Sequence, residues 1–232
     1  MSIWNRISNI IAGLGQVPSL AHVFERLHRP PQYSVAFTIA VIALGAKMAK
    51  ADGRVTVDEI NAFREVFHIA PADEANAARV FDLARRDVAG YQDYARRIRR
   101  LFAENDACLI DVLEGLFYIA AADGYYHPNE DRFLTTLAEI WGIPWERFQA
   151  IRARFAPQGA GKTGGAGDPY HVLGLTSGAP LAEVRRAWRR LVRETHPDAM
   201  AARGLPPEAI GLANGKMAAI NAAWAQINGK AC

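Results

Sequence analysis

The sequence predicts an all-α protein built from two helical parts. Three observations carry that expectation. Apolar residues recur at intervals of three and four along nearly the whole chain, and sustained period-two alternation is missing. Capping patterns and prolines stand where those periodic stretches begin. One Gly-rich stretch, 156–167, interrupts the pattern once.

The elements follow in order. Ile3, Ile7, Ile10, Ile11 and Leu14 share one face of a helix expected over 3–14. Such a helix either packs on its own domain or lies on a membrane surface, and its polar face is poor in Lys and Arg. A further helix is expected over 19–28, so that 1–30 forms an N-terminal helical segment. Ser34 to Ala46 is a run without charge, thirteen residues long, short of the roughly 20 that span a bilayer and suited to a buried core helix over 34–50. Helices are expected next over 57–68, 72–86, 91–104, 106–122, 128–141 and 145–155. Thr56 and Glu59 form a capping-box pattern. Pro128 and Pro144 suit first helical positions, and Glu130 and Asp131 place negative charge on a helix N-terminus. Residues 31–155 make one helical domain.

Residues 156–167 contain five glycines and no large apolar side chain, the composition of a flexible linker. Gly161-Lys162-Thr163 looks like the end of a phosphate-binding loop, but Ala156 stands where that loop needs glycine and no strand precedes it. A tether of this kind predicts that the domains fold and orient independently. Residues 168–232 form the second domain. Asp168 caps a short helix with Pro169 at its first position. A longer helix runs over about 180–194. On it Arg185, Arg186, Arg189, Arg190 and Arg193 fall within about 140° of each other, opposite Leu181, Val184, Trp188, Leu191 and Val192. Pro197 ends this helix. A third helix over about 206–226 carries the seam Ile210, Ala213, Met217, Ile220, Trp224, Ile227, suited to antiparallel packing on the arginine helix. Gly211 and Gly215 should weaken it by roughly 1 kcal/mol each.

Composition narrows the function. The chain has 27 Lys and Arg against 24 Asp and Glu, and the whole excess of three lies in 168–232, which holds 8 against 5. So small a total charge does not indicate nucleic-acid binding. Cys108 and Cys232 are the only cysteines, which excludes a disulfide scaffold and fits a reducing compartment. A cytoplasmic location, or one at the inner face of a membrane, is expected. The six histidines assemble no catalytic constellation, so the chain is not expected to be an enzyme.

Two motifs remain. Ala51-Asp52-Gly53 with Asp58-Glu59 recurs as Ala122-Asp123-Gly124 with Asn129-Glu130, 71 residues on, each copy between two helices. The duplication predicts two similar helical hairpins packed face to face. The turns serve either to reverse the chain or, through Asp52, Asp58, Asp123 and Glu130, to hold a divalent cation. The spacing is not that of an EF-hand, because glycine follows Asp52 directly and Phe63 stands where the bidentate Glu would be. These paired turns, each after an Ala-rich helix, resemble the TerB-like helical domain over 31–155, and some TerB domains are associated with metal ions.

The second motif is Thr195-His196-Pro197-Asp198 after the arginine helix. DPYHVLGL, AWRRLVRETHPD and MAAINAAW, in that order, resemble the J domain of DnaJ-type co-chaperones over 168–227. Trp188 and Trp224 depart from the pattern by replacing tyrosine. The resemblance implies a protein without cofactor of its own that binds a DnaK-type chaperone and stimulates its ATP hydrolysis. His196, Pro197 and Asp198 would be the signature, and Arg185, Arg186, Arg189, Arg190 and Arg193 would meet an acidic surface. A TerB-like domain before a terminal J domain is similar to the DjlA type, which begins with a transmembrane helix that finds no clear equivalent here. The TerB-like domain would bring the chaperone to a target that the sequence does not name. The alternative is a metal-responsive or membrane-surface adaptor of TerB type whose J-like segment is not an active co-chaperone.

Overall fold

The computed structural model describes residues 2–12, 33–52, 61, 63–64, 66–67, 69–86, 90–103, 105–122, 124, 126–155 and 168–230. Among them the secondary structure is helical throughout. Among the described residues, the helices with defined bounds before the Gly-rich stretch are α1 (Ile3–Ala12), α2 (Tyr33–Asp52), α3 (Glu74–Arg86), α4 (Tyr91–Leu101), α5 (Asp106–Ala120), α6 (Pro128–Trp141) and α7 (Trp145–Phe155), and residues 61, 63, 64 and 66, within the helix expected over 57–68, are helical too. After that stretch come α8 (Pro169–Val172), α9 (Leu181–Thr195), α10 (Pro197–Ala202) and α11 (Ile210–Lys230). The expected helix over 19–28, Thr56 with its capping partner Glu59, and the linker 156–167 lie outside the described residues.

The uncharged run forms the axis of the first bundle. α2 packs against α1, α3, α4, α5 and α6, and residues 35–49 are all buried. That explains why its sequence is apolar on every side instead of along one stripe. Among the described residues no helix is long and apolar enough to cross a membrane. α1 lays Ile3, Trp4, Ile7 and Ile11 into the same core, where Trp4 meets Phe67 edge to face at 6.0 Å. Its apolar face is therefore occupied within the bundle and is not presented to a membrane surface.

The second acidic turn has a structural purpose. Gly124 takes φ +78, the left-handed conformation that glycine tolerates, as the chain leaves α5. α6 then opens with a reciprocal cap in which the His127 N–H donates to Glu130 and the Asn129 N–H donates to His127 Nδ1. Pro128 is at a first helical position, as expected. Pro144 instead precedes α7, and its carbonyl accepts the Phe148 N–H.

Two departures concern the second domain. Pro197 ends α9 and at once begins α10, a short helix where the sequence predicts a loop. The same residue that clashes with a preceding turn is preorganised for a first one. The third helix also starts later, at Ile210, after a single 3-10 turn at Pro207–Ala209. Its seam is divided. Ile220, Ala223 and Ile227 pack with Val184, Ala187 and Leu191 of α9, whereas Leu212 and Ala213 belong to the core of the first bundle together with Met200, Leu205 and Ala209. Ile210 is exposed. The second domain is thus docked on the first, and the expectation of free orientation fails. Periodicity shows that a residue is buried but not against which partner.

Candidate functional site

The arginine helix separates charge from burial as expected, except that Leu181, placed on the apolar face, is exposed at the helix start. Val184, Ala187, Leu191 and Thr195 are buried, while Arg185, Arg186, Arg189, Arg190 and Arg193 are all exposed. Among them Arg190 approaches Glu194 at 3.9 Å, and Arg193 donates to the Arg189 carbonyl. The rest of the charge faces solvent. The tryptophans that replace tyrosine keep the hairpin closed. Trp188 and Trp224 stack at 5.0 Å, and the Trp188 indole N–H donates to Asn221 at 3.0 Å.

At the end of this helix His196 takes an extended backbone (φ −56, ψ 135), as a residue before proline must, and caps α10. Its Nδ1 accepts the Asp198 N–H at 3.3 Å. In the neutral ring that leaves the proton on Nε2, on the outer side of the imidazole. The His196 side chain is 60% exposed and that of Asp198 93% exposed. A donor, a rigid proline and a carboxylate therefore stand in the open beside five arginines.

The surface is fastened from behind by residues the sequence reading missed. Arg203, after α10, forks onto Asp111 of α5, with Nε to Oδ2 at 3.1 Å and Nη2 to Oδ1 at 3.2 Å. Its Nη1 donates to the Glu194 carbonyl at 2.9 Å. Lys216 of α11 lies 2.5 Å from Glu114 and 3.8 Å from Asp111. Arg154 of α7 bonds Glu114 at 2.8 Å and the Val172 carbonyl at 2.9 Å. Asn105 donates to the Arg203 carbonyl, and Glu208 accepts the Ile3 N–H at the start of α1. Asp111, Glu114 and Lys216 are all nearly inaccessible to solvent.

Burial raises the Asp111 carboxyl to about 6, against the pull of Lys216 and with the help of the Glu114 charge. Burial also opposes ionisation of Glu114, but Lys216 and Arg154 outweigh it and hold that carboxyl below its usual range. The difference follows from distance, since Lys216 is much closer to Glu114. Burial, and then the Asp111 charge, push the Cys108 thiol well above its ordinary range, so Cys108 is an inert core residue. The sequence carries only partial marks of this cluster: two carboxylates three apart inside an apolar helix, and Gly215 inside another. A Cβ at 215 would stand 2.7 Å from the Tyr118 ring of α5, so the glycine permits the helices to meet.

The Asp52 side chain, Asp58 and Asp123 lie outside the described residues, and Glu130 is engaged in the α6 cap.

The bundle and this surface define a class: a TerB-type helical domain carrying a basic, HPD-bearing hairpin. The family model of tellurite resistance protein TerB matches residues 38–153. The co-chaperone protein DjlA of Photobacterium profundum is 31% identical over 211 residues, covering 82% of this chain and 76% of that protein. DjlA of Coxiella burnetii is 33% identical over 194 residues (78% and 72%), and that of Escherichia coli 29% over 197 (76% and 73%). The chain belongs to the DjlA family of TerB-containing co-chaperones. No solved structure is significantly similar to it.

Proposed function

We propose that this chain binds a DnaK-type chaperone through the HPD loop and the arginine face of α9, and stimulates that chaperone's ATP hydrolysis. One observation carries the reading: His196 and Asp198 are exposed at the end of a helix whose outer face is five arginines. The arginines steer an acidic partner, because exposed like charges on one face sum into a field that reaches about a Debye length, ~8 Å at physiological salt. The His196 Nε2–H and the Asp198 carboxylate then offer one donor and one acceptor held in fixed relation by Pro197. The chain does not cleave ATP. It shifts the chaperone toward its hydrolysis-competent state by binding that state better than the other. The TerB bundle would join this unit to a target.

His196→Gln tests the reading. The substitution should leave far-UV circular dichroism unchanged, since the side chain is mostly in solvent, and abolish stimulation of steady-state ATPase activity of DnaK. Full stimulation by the variant would refute the assignment of this loop.

A further inference from the structure

We infer that Asp111 and Glu114 of the TerB bundle are positioning residues for the HPD loop, acting through Arg203 and Lys216, so that the bundle forms the rigid back of the chaperone-facing surface. This inference rests on the co-chaperone reading above for its activity readout. Arg203 joins three points: Asp111 on α5, the Glu194 carbonyl at the end of the arginine helix, and its own position at the end of α10. His196 stands between Glu194 and α10. The loop is therefore held on both sides by one guanidinium anchored in the other domain. Lys216 holds the adjoining turn of α11 to Glu114 and Asp111. Met200 of α10, together with Leu205 and Ala209, is buried in the bundle core. Leu212 lies against Gly115, and Gly215 against Tyr118. The far half of the hairpin, around Leu191, Ile220 and Ile227, has a core of its own. Ala153 of α7 also packs on that core, which should keep the arginine face folded when the clamp is lost.

This division predicts a specific kinetic split. Loss of the clamp should lower maximal stimulation of the DnaK ATPase while leaving the half-saturating concentration nearly unchanged, because α9 still captures the chaperone. Asp111→Asn and Arg203→Ala should each reduce maximal stimulation about tenfold with less than a threefold change in half-saturation. The double variant should lose clearly less than the two single losses combined, because both remove the shared Asp111–Arg203 fork while each also removes one contact of its own. Arg203→Lys, which keeps the charge and loses the fork, should fall between. Without any chaperone, hydrogen exchange should accelerate at 197–206 in these variants and stay unchanged at 184–191 and 220–227. If a charge variant fails to fold, the wedge Gly215→Leu should give the same split, and Tyr118→Ala should restore the Gly215→Leu protein. Unchanged maximal stimulation, a loss confined to half-saturation, additive singles, or unaltered exchange at 197–206 would each overturn the inference. If the wild-type chain does not stimulate DnaK, the co-chaperone reading fails on its own, and the exchange experiment still decides whether the bundle holds the loop.

Discussion

Single residues decide how the two domains are held. Glu114 is fully buried between two cations, so Glu114→Ala should cost about 3–5 kcal/mol by taking the paired carboxylate from Arg154 and leaving Lys216 only the more distant Asp111. A urea titration measures this, and a cost below 1 kcal/mol would mean that water reaches the cluster. Lys216→Met should cost less, because it keeps apolar volume and leaves Glu114 paired with Arg154 and Asp111 with Arg203. Asp111 gives a pH signature of opposite sign to Glu114. Its carboxyl titrates near 6 when folded and near its ordinary value of 3.8 when unfolded, facing Arg203, Lys216 and Glu114. Between those values the folded chain binds the extra proton, so this group's contribution to stability falls as pH rises through the window. Glu114, held low, contributes stability above its ordinary 4.5 and loses it only below that. The interval from about 4.5 to 6 therefore isolates Asp111. In that interval the stability of wild type relative to Asp111→Asn should decline with rising pH, and a difference that is flat or rises would contradict the burial of an unevenly paired carboxylate.

Helices were the most legible scale. α2 was readable because an uncharged run too short for a membrane has one other place to go, the middle of a bundle. α9 was readable because its two faces differ so sharply in charge. What escaped was everything that depends on a second element: α10, hidden behind a proline understood only as a stop, and the division of the α11 seam, whose Leu212 and Ala213 are indistinguishable in pattern from Ile220 and Ala223. Of the site, the exposed half was visible in the HPD and arginine residues. The buried half was not, because Asp111, Glu114, Arg203 and Lys216 are scattered across more than a hundred positions. The arginine face carries its own prediction. Its charges are exposed, so affinity for DnaK should weaken as salt rises, and Arg186→Ala with Arg190→Ala should flatten that dependence. An affinity indifferent to salt in the wild-type chain would place the binding energy in apolar contacts instead.

At the scale of the molecule, a composition suited to a free tether connects two domains that are docked. A linker of that composition is compatible with docking. A flexible connection costs little more entropy when it is long, and it presents the second domain to the first at high effective concentration. The contact that results is built from buried charge as well as apolar area. Separating the domains would expose Met200, Leu205, Ala209, Leu212 and Ala213 and leave Lys216 apart from Glu114. The last prediction follows. A fragment of 168–232 should keep the α9 pairing with the far half of α11, because Val184, Leu191, Ile220 and Ile227 pack among themselves. It should lose protection from hydrogen exchange over 197–216 and melt at a lower temperature than the same segment in the intact chain. Cutting the intact chain at Lys162 should leave the two halves migrating together on size exclusion at neutral pH and micromolar concentration. Separation of the cut halves, or a fragment whose exchange and melting match those of the intact chain, would show that the docked arrangement adds nothing to the stability of the hairpin. The TerB bundle would then be a carrier for the co-chaperone surface and no part of it.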